Sequence, residues 1–248
     1  MIKIIVTGWK AGHYINKCLQ SINNQTEKDW ECCVVLDPSN DNTYQFAKEY
    51  ASNKIKVILN TERQYAIHNI VTSINTMKPQ DEDILTIIDA DDWLFGKDSL
   101  AIMHSYYINR PTTLVSHGSW QGYPDPNLKT NNGVYQKWEF DQGIRKTTLG
   151  SWRGSHLKTL KYKVFKHINQ NRDFKDRNGK WLKSSYDLSL MLPALEMVGF
   201  GRVEYIPDIL YTYNRETIFN DDKVDPAMQD NCTNYLMSLS PYPKMENF

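Results

Sequence analysis

Ile84-Leu85-Thr86-Ile87-Ile88-Asp89-Ala90-Asp91-Asp92 is the stretch on which the fold turns. Its first five residues form a short, almost wholly aliphatic run ended abruptly by charge, the pattern of a strand buried on both faces. Upstream the pattern recurs, with helical spacing between the runs. Residues 2–7 read as a first strand, followed by Tyr14, Ile15, Cys18, Leu19 and Ile22 at the spacing of one helix face. Residues 31–36 form a second run, ended by Asp37-Pro38-Ser39-Asn40, and Asp41 is placed to cap a helix reaching to about residue 50. A third run, 55–59, and a helix over about 64–75 complete the series before 84–88. Four strand–helix units within about 90 residues predict an α/β fold with a mostly parallel central sheet flanked by helices.

Such a sheet binds ligands in the crevice beyond the carboxyl ends of its strands. The residues to watch are therefore Thr7-Gly8-Trp9, Asp37, the segment 60–63, and Asp89-Ala90-Asp91-Asp92. Three carboxylates within four residues repel one another, and a hard cation such as Mg²⁺ or Mn²⁺, shared with the oxygens of a diphosphate, neutralises them. A solvated turn in which Asp92 or Asp98 caps the next helix is the plainer alternative.

From about residue 114 the rhythm changes. A strand-like 113–116 leads into a long stretch rich in Gly, Asn, Trp and Tyr that runs to Arg153, which reads as a hairpin-and-loop insertion with a binding role. Helices are expected over 157–168 and 187–198, separated by the charged, turn-prone segment 171–180. Strands over 202–205 and 209–213 follow, then a polar tail carrying Pro226, Pro241 and Pro243. Neither an internal repeat nor a flexible linker interrupts the chain, so a single compact domain is expected.

Composition narrows the function. The 248 residues are 40% apolar and 23% charged, outside disordered and fibrous classes, and seven Trp, fifteen Tyr and eight Phe leave aromatic surplus to line a groove. Lys plus Arg and Asp plus Glu both number 29, so no long-range field favours nucleic acid or an anionic membrane, and an acidic ligand must be held locally. Cys32 and Cys33 alternate faces while Cys18 and Cys232 lie far apart in sequence, which reads as free buried thiols in a reducing compartment. The N-terminus lacks the features of a signal peptide, and no stretch approaches the roughly 20 apolar residues of a membrane span. A soluble, cytoplasmic protein is expected, a place at the cytoplasmic face of a membrane included, and self-association into a homodimer is left open. Gly8 and Gly12 do not form G-x-G-x-x-G, against a dinucleotide dehydrogenase. The loop 7–12 lacks the longer Gly-rich, Arg-containing loop that would cradle the triphosphate of a nucleotidyltransferase.

Four segments in order resemble the GT-A glycosyltransferases of the family 2 type. They are Ile4-Ile5-Val6-Thr7-Gly8-Trp9, the helix from Tyr14-Ile15-Asn16-Lys17 to Asn24-Gln25-Thr26, Val34-Val35-Leu36-Asp37-Pro38-Ser39-Asn40-Asp41, and Ile88-Asp89-Ala90-Asp91-Asp92-Trp93-Leu94, which looks like the DxD metal motif. The resemblance implies a GT-A, Rossmann-like sheet with a smaller acceptor-side subregion. Residues 1–115 would form the nucleotide-sugar-binding half, 116–222 the acceptor-binding and catalytic half, and 223–248 a C-terminal tail. It implies transfer of a sugar from a UDP-sugar of glucose, galactose or GlcNAc type to a hydroxyl of a glycan, a lipid-linked sugar or a protein, with inversion and with Mn²⁺ or Mg²⁺ as cofactor. Thr7, Gly8 and Trp9 would flank the nucleotide, and Asp37 would accept from the base. Asp89 and Ala90 would lie at the donor, with Asp91 and Asp89 as metal ligands and Asp92 beside them.

Departures from the family pattern matter as much. Ile67-His68-Asn69 stands where the family carries Ala-Arg-Asn, so Arg63, one turn earlier, is the candidate for the diphosphate, with His68 near the nucleotide. Trp181-Leu182-Lys183-Ser184-Ser185-Tyr186-Asp187-Leu188 resembles the family's Glu-Asp region with Tyr186 in place of the Glu, which leaves Asp187 as the expected base. Tyr211-Thr212-Tyr213-Asn214-Arg215 looks like the strand after which many members place a His; none follows, and Asn214, Arg215, Asn220 or Asp221 are the groups available there. His156, in Ser151-Trp152-Arg153-Gly154-Ser155-His156, is a further pocket candidate, and Trp120, Trp152 and Trp181 are candidates to stack on a sugar. A non-catalytic nucleotide-sugar or glycan-binding module is the alternative from outside enzymology.

Overall fold

Four parallel strands, β1 (Ile2–Gly8), β2 (Trp30–Leu36), β3 (Ile55–Leu59) and β4 (Ile84–Asp89), form the first half of the sheet, in the order β3-β2-β1-β4. The computed structural model describes residues 1–130, 133–148 and 152–248. Register puts Val6 beside Val34 and Ile88, so the apolar runs stack into ladders with both faces covered. One face receives α1 (Ile15–Asn23) and α4 (Ser99–Asn109), and the short α2 (Thr43–Lys48) packs near β2 and β3; the opposite face receives α3 (Tyr65–Met77). Cys32 and Cys33 point into opposite clusters, as alternation requires, and all four thiols are free and buried. Asp41 does serve the start of α2, but from one residue before the N-cap: its carboxylate accepts from the Thr43 amide at 3.3 Å and the Gly12 amide at 2.8 Å, tying α2 to the loop after β1.

The second half completes a mixed sheet in which β4 is followed by β8 (Thr159–Lys161), β6 (Val115–Tyr123), β9 (Val203–Asn214) and β5 (Trp93–Leu94), with β7 (Lys129–Thr130) paired to β6. The long ladders are parallel, β6 on β9 included, and the short ones are antiparallel. Two helical turns, α5 (Lys137–Asp141) and α6 (Ile144–Thr148), follow the β6–β7 hairpin, so the expected insertion is present. Ser151, with residues 131, 132, 149 and 150 of the same stretch, lies outside the described residues.

Two expectations for this half are corrected. The helix expected over 157–168 is instead the strand β8 followed by α7 (Tyr162–Phe165), because pairing with β4 and β6 overrides the helical spacing of Leu157, Leu160, Val164 and Ile168. The strands expected at 202–205 and 209–213 are one strand, β9, with Pro207 and Asp208 bulged out where Gly118 pairs Ile206 and Ser119 pairs Ile209. The tail is ordered: α10 (Asp221–Val224) leads into α11 (Pro226–Ser238), which Asp225 caps by accepting from the Met228 amide at 2.9 Å and which buries Cys232 and Leu236. Between α8 (Gln170–Asp173) and the long buried α9 (Tyr186–Val198), Lys175 pairs with Trp181. Among the described residues no helix is long and apolar enough to cross a membrane.

Candidate functional site

At the carboxyl ends of β1, β2 and β4 the sheet opens into a cleft, closed on the far side by Lys158, the first turn of α9 and the segment after β9. Gly8 sets its floor. A Cβ there would lie 2.3 Å from the Cβ of Ala90, so only glycine lets β1 pack against the acidic turn, and the Ala90 amide donates to the Thr7 carbonyl at 2.9 Å.

The three acidic neighbours have different partners. Both carboxylate oxygens of Asp89 accept from the Tyr186 hydroxyl, at 2.9 and 2.7 Å. Asp92, buried, accepts from the Tyr211 hydroxyl and the Asn214 amide, each at 2.7 Å. It therefore anchors β9 and caps nothing; Asp98 accepts from Thr26. Asp91 has only its backbone carbonyl engaged, by the Asn214 amide side chain at 3.0 Å, and its carboxylate faces the cleft with no side-chain donor among the described residues. Burial and the neighbouring Asp89 push its acid up to about 7.

That surplus of negative charge suits a hard divalent cation. Asp89, Asp92 and His156 offer ligand atoms within 4.8 Å of one another. All three already have partners, Asp89 and Asp92 by the bonds just described and His156 by the Lys158 ammonium, 3.2 Å from Nδ1. Burial and that ammonium hold the His156 acid well below its usual range, and its ring stacks on Tyr211 at 4.3 Å. Asp91, with Asp89 beside it, is the carboxylate left to bind an ion.

At the ends of β1 and β2, Thr7, Gly8, Trp9 and Asp37 all line the cleft. Asp37 is more structural than expected. One oxygen takes the side chains of Asn60 (2.8 Å) and Asn69 (3.2 Å) and the Gln64 amide (3.0 Å); the other takes only the Tyr65 amide (2.9 Å), leaving one lone pair for a ligand. It thus fixes the start of α3 from the end of β2. Arg63 lines the cleft with its guanidinium 3.6 Å above the Trp9 ring and 4.7 Å from Tyr65, and Lys183 stands 5.7 Å from the other side of this group. Phe219 meets Trp9 edge-on at 5.8 Å.

On the opposite wall Asp187 occupies the first turn of α9 and faces the cleft, and its carboxylate has no hydrogen-bond donor among the described residues. Asn220 and Asp221 also line it.

Several candidates stand elsewhere. His68 packs edge-on against Trp181 at 5.1 Å, away from the cleft, because the helix face it shares turns toward the second half of the core. Ala90 is buried behind Gly8. Trp152 packs against the core, and Trp120 rests on Tyr213 at 5.0 Å, so neither these nor Trp181 offers a cleft face for a sugar. Arg215 is committed to Asp222 at 2.8 Å, and Asn214 acts on the acidic turn from behind. Lys158, Lys183, Tyr211 and Phe219 are site residues that the motifs missed. No local pattern marks Lys158, which directly precedes β8 in an irregular stretch.

The description Glycosyl transferase family 2 belongs to a family model that matches residues 3–168. Chondroitin synthase of Escherichia coli is 24% identical over 193 residues, 68% of this chain and 28% of that protein. The UDP-Glc:alpha-D-GlcNAc-diphosphoundecaprenol beta-1,3-glucosyltransferase WfgD of Escherichia coli is 28% identical over 103 residues, 41% of this chain and 40% of that protein. The chain thus spans less than half the length of either relative. Among solved structures, residues 1–349 of Staphylococcus aureus TarS in complex with UDP superpose with a TM-score of 0.65 at 19% identity, covering 95% of this chain and 64% of that one. Glucosyl-3-phosphoglycerate synthase from Mycobacterium tuberculosis, in complex with Mn²⁺, UDP and glucosyl-3-phosphoglycerate, superposes at 0.60 with 12% identity, covering 96% and 79%. These structural likenesses show a shared GT-A fold.

Proposed function

We propose, because the chain belongs to glycosyl transferase family 2, that its cleft moves a sugar from a UDP-sugar to an acceptor hydroxyl with inversion at the anomeric carbon. The observation that carries this reading is the pair of carboxylates, Asp91 and Asp187, that line one cleft and meet no side-chain hydrogen-bond donor among the described residues. One suits the leaving group's counter-ion and the other suits a base. UDP as the donor nucleotide is supported by two structural neighbours crystallised with UDP and by a relative whose name specifies UDP-Glc.

Asp187 takes the proton of the acceptor hydroxyl while that oxygen attacks the anomeric carbon and the bond to the diphosphate breaks on the opposite face. Tyr186, by donating to Asp89, holds the first turn of α9 against the sheet and so keeps Asp187 at the cleft. Arg63 approaches the diphosphate from the Trp9 side, as guanidinium geometry favours. A Mn²⁺ or Mg²⁺ ion held by Asp91 and Asp89 would neutralise the departing UDP.

The test needs no acceptor. A donor-hydrolysis screen in Mn²⁺ with UDP-glucose, UDP-galactose, UDP-GlcNAc, GDP- and dTDP-sugars should single out a UDP-sugar. UDP with Mn²⁺ at a hundredfold excess over its dissociation constant should stabilise the fold by about 2.7 kcal/mol. Stabilisation by ATP or NAD without any response to UDP would sink the assignment.

A further inference from the structure

Lys158 is the group in the cleft that the proposed chemistry leaves unused. It is 1% exposed, yet it lines the cleft and forms no ion pair among the described residues. Its ammonium has three N–H donors; one reaches Nδ1 of His156 at 3.2 Å and another faces the Tyr186 ring, 4.7 Å away. Lys158 also attracts the Asp89 carboxylate, but no hydrogen-bond acceptor among the described residues meets the third donor, in a place where an unmet donor is costly.

Its place in the sheet says what should meet it. The nucleotide end of the cleft is set by the ends of β1 and β2, the acidic turn by β4, and Lys158 enters from β8, on the other side of β4 from β1. At the usual strand spacing, β2 and β8 stand about 14 Å apart. A donor lying across the strand ends with its nucleoside at β1–β2 and its diphosphate at Asp91 carries its sugar over β8, between Lys158 and Asp187. Because Lys158 donates to Nδ1, His156 keeps its proton on Nε2 and presents a second N–H beside it. Asp89, Asp92 and Asp187 already supply acceptors there, so what the cleft otherwise lacks at this end is donors.

We infer that Lys158 binds the transferred sugar itself, donating to one of its hydroxyls, with His156 as the neighbouring donor; this rests on the UDP-sugar reading above. Lys158 would then be a sugar-binding residue that the nucleotide does not touch. The experiment compares two ligands by calorimetry in Mn²⁺: UDP, and whichever of UDP-glucose, UDP-galactose and UDP-GlcNAc the native chain binds most tightly. Lys158→Met should weaken the UDP-sugar by about 10- to 100-fold, the worth of a charge-assisted hydrogen bond, and leave UDP within about twofold. Equal losses for both ligands would make Lys158 a counter-ion of the aspartates or the diphosphate and overturn the inference, as would no loss for either.

Retained UDP binding also reports that the variant folds. If Lys158→Met does not fold, the native chain still decides: each of the three UDP-sugars binding no more tightly than UDP overturns the inference, and a preference for a UDP-sugar that Lys158→Gln reduces supports it. Absence of any UDP binding by the native chain breaks the donor reading, and this inference with it.

Discussion

The first half of the sheet and the second contribute to the cleft in opposite ways. From β1 to β4 every site residue sits at or just past the end of its own strand, placed by local chain direction alone. The second half works at long range: Tyr186 reaches Asp89 across 97 residues of sequence, Tyr211 reaches Asp92 across 119, and the Asn214 amide reaches Asp92 across 122. The first half supplies three similar carboxylates, and the second makes them different. By occupying Asp89 and Asp92 with donors from α9 and β9, it leaves Asp91 as the one whose carboxylate no side-chain donor meets among the described residues. The acidic motif is thus necessary for the site, while the roles within it are assigned elsewhere in the chain.

The sharpest way to break this comparison is to remove the second half's own chemistry. Asp187→Asn keeps the size and position of the side chain and removes its basicity, so transfer should fall by about 10²- to 10⁴-fold while UDP affinity holds. Full activity would put the base elsewhere, and lost UDP binding would return Asp187 to the nucleotide side.

Next in size is the buried ion cluster on which the second half is built. Arg145 of α6 donates to Glu196 of α9 at 2.6 Å and to the Leu236 carbonyl of α11, with Asp173 at 3.6 Å. Tyr242 joins through its amide to Glu196 at 3.0 Å and its hydroxyl to Asp173 at 2.6 Å. Burial pushes the Glu196 acid up and Arg145 opposes that. Arg145→Ala leaves the buried Glu196 without its hydrogen-bonded cation, while Asp173 keeps Arg172 at 3.1 Å, and should cost about 3–5 kcal/mol in urea denaturation. A loss within the range of a surface substitution would mean that the halves do not depend on this cluster.

The same contrast explains what could be read from sequence. Residues 2–7, 31–36 and 84–88 are aliphatic runs whose only stable fate is a doubly covered strand, and the structure agrees with them to within a residue or two. Asp91 and Asp187 follow from motif position. Lys158 and Tyr211 do not, because nothing near them in sequence signals a cleft that forms only when β8 and β9 pair into the sheet. Leu157, Leu160, Val164 and Ile168 keep a helical spacing that pairing of β8 into the sheet overrides, and Pro207 reads as a strand end where β9 only bulges. His68 misled for the opposite reason: its position matched a motif, but its helix face turns toward Trp181. Long-range pairing decides such residues, and local pattern carries no record of it.

A smaller effect tests the joint between β1 and the acidic turn. Gly8→Ala drives a methyl to 2.3 Å from the Ala90 Cβ, and relief requires the turn carrying Asp89 and Asp91 to move. The expected cost is about 1–3 kcal/mol, as for other overpacked sites, with weaker Mn²⁺-dependent UDP binding. Adding Ala90→Gly should restore most of both, since each change removes the other's clash. Two independent, additive losses in thermal denaturation would show that the joint is not where the motif is held.

A further effect, one that grows only as the pH falls, concerns the second half alone. His117, in β6, is fully buried between Tyr135 at 4.9 Å and Tyr205 at 5.3 Å, and neither ring nitrogen finds a hydrogen-bond partner within the described residues. Burial is the main cause that holds its acid down to about 3, against a free histidine near 6.5. Because the folded value is the lower one, the unfolded chain binds this proton first. Stability is therefore intact above about pH 6.5 and is lost as the pH falls toward 3, at no more than about 1.4 kcal/mol for each pH unit. His117→Phe keeps the aromatic packing and has nothing to protonate, so between pH 6.5 and 4 its urea midpoint should fall less steeply than that of the native chain. Carboxylates common to both chains contribute equally and cancel in the difference. Parallel pH profiles would mean that His117 gains a proton in the folded state as easily as in the unfolded one, and that its enclosure by the two tyrosines admits charge.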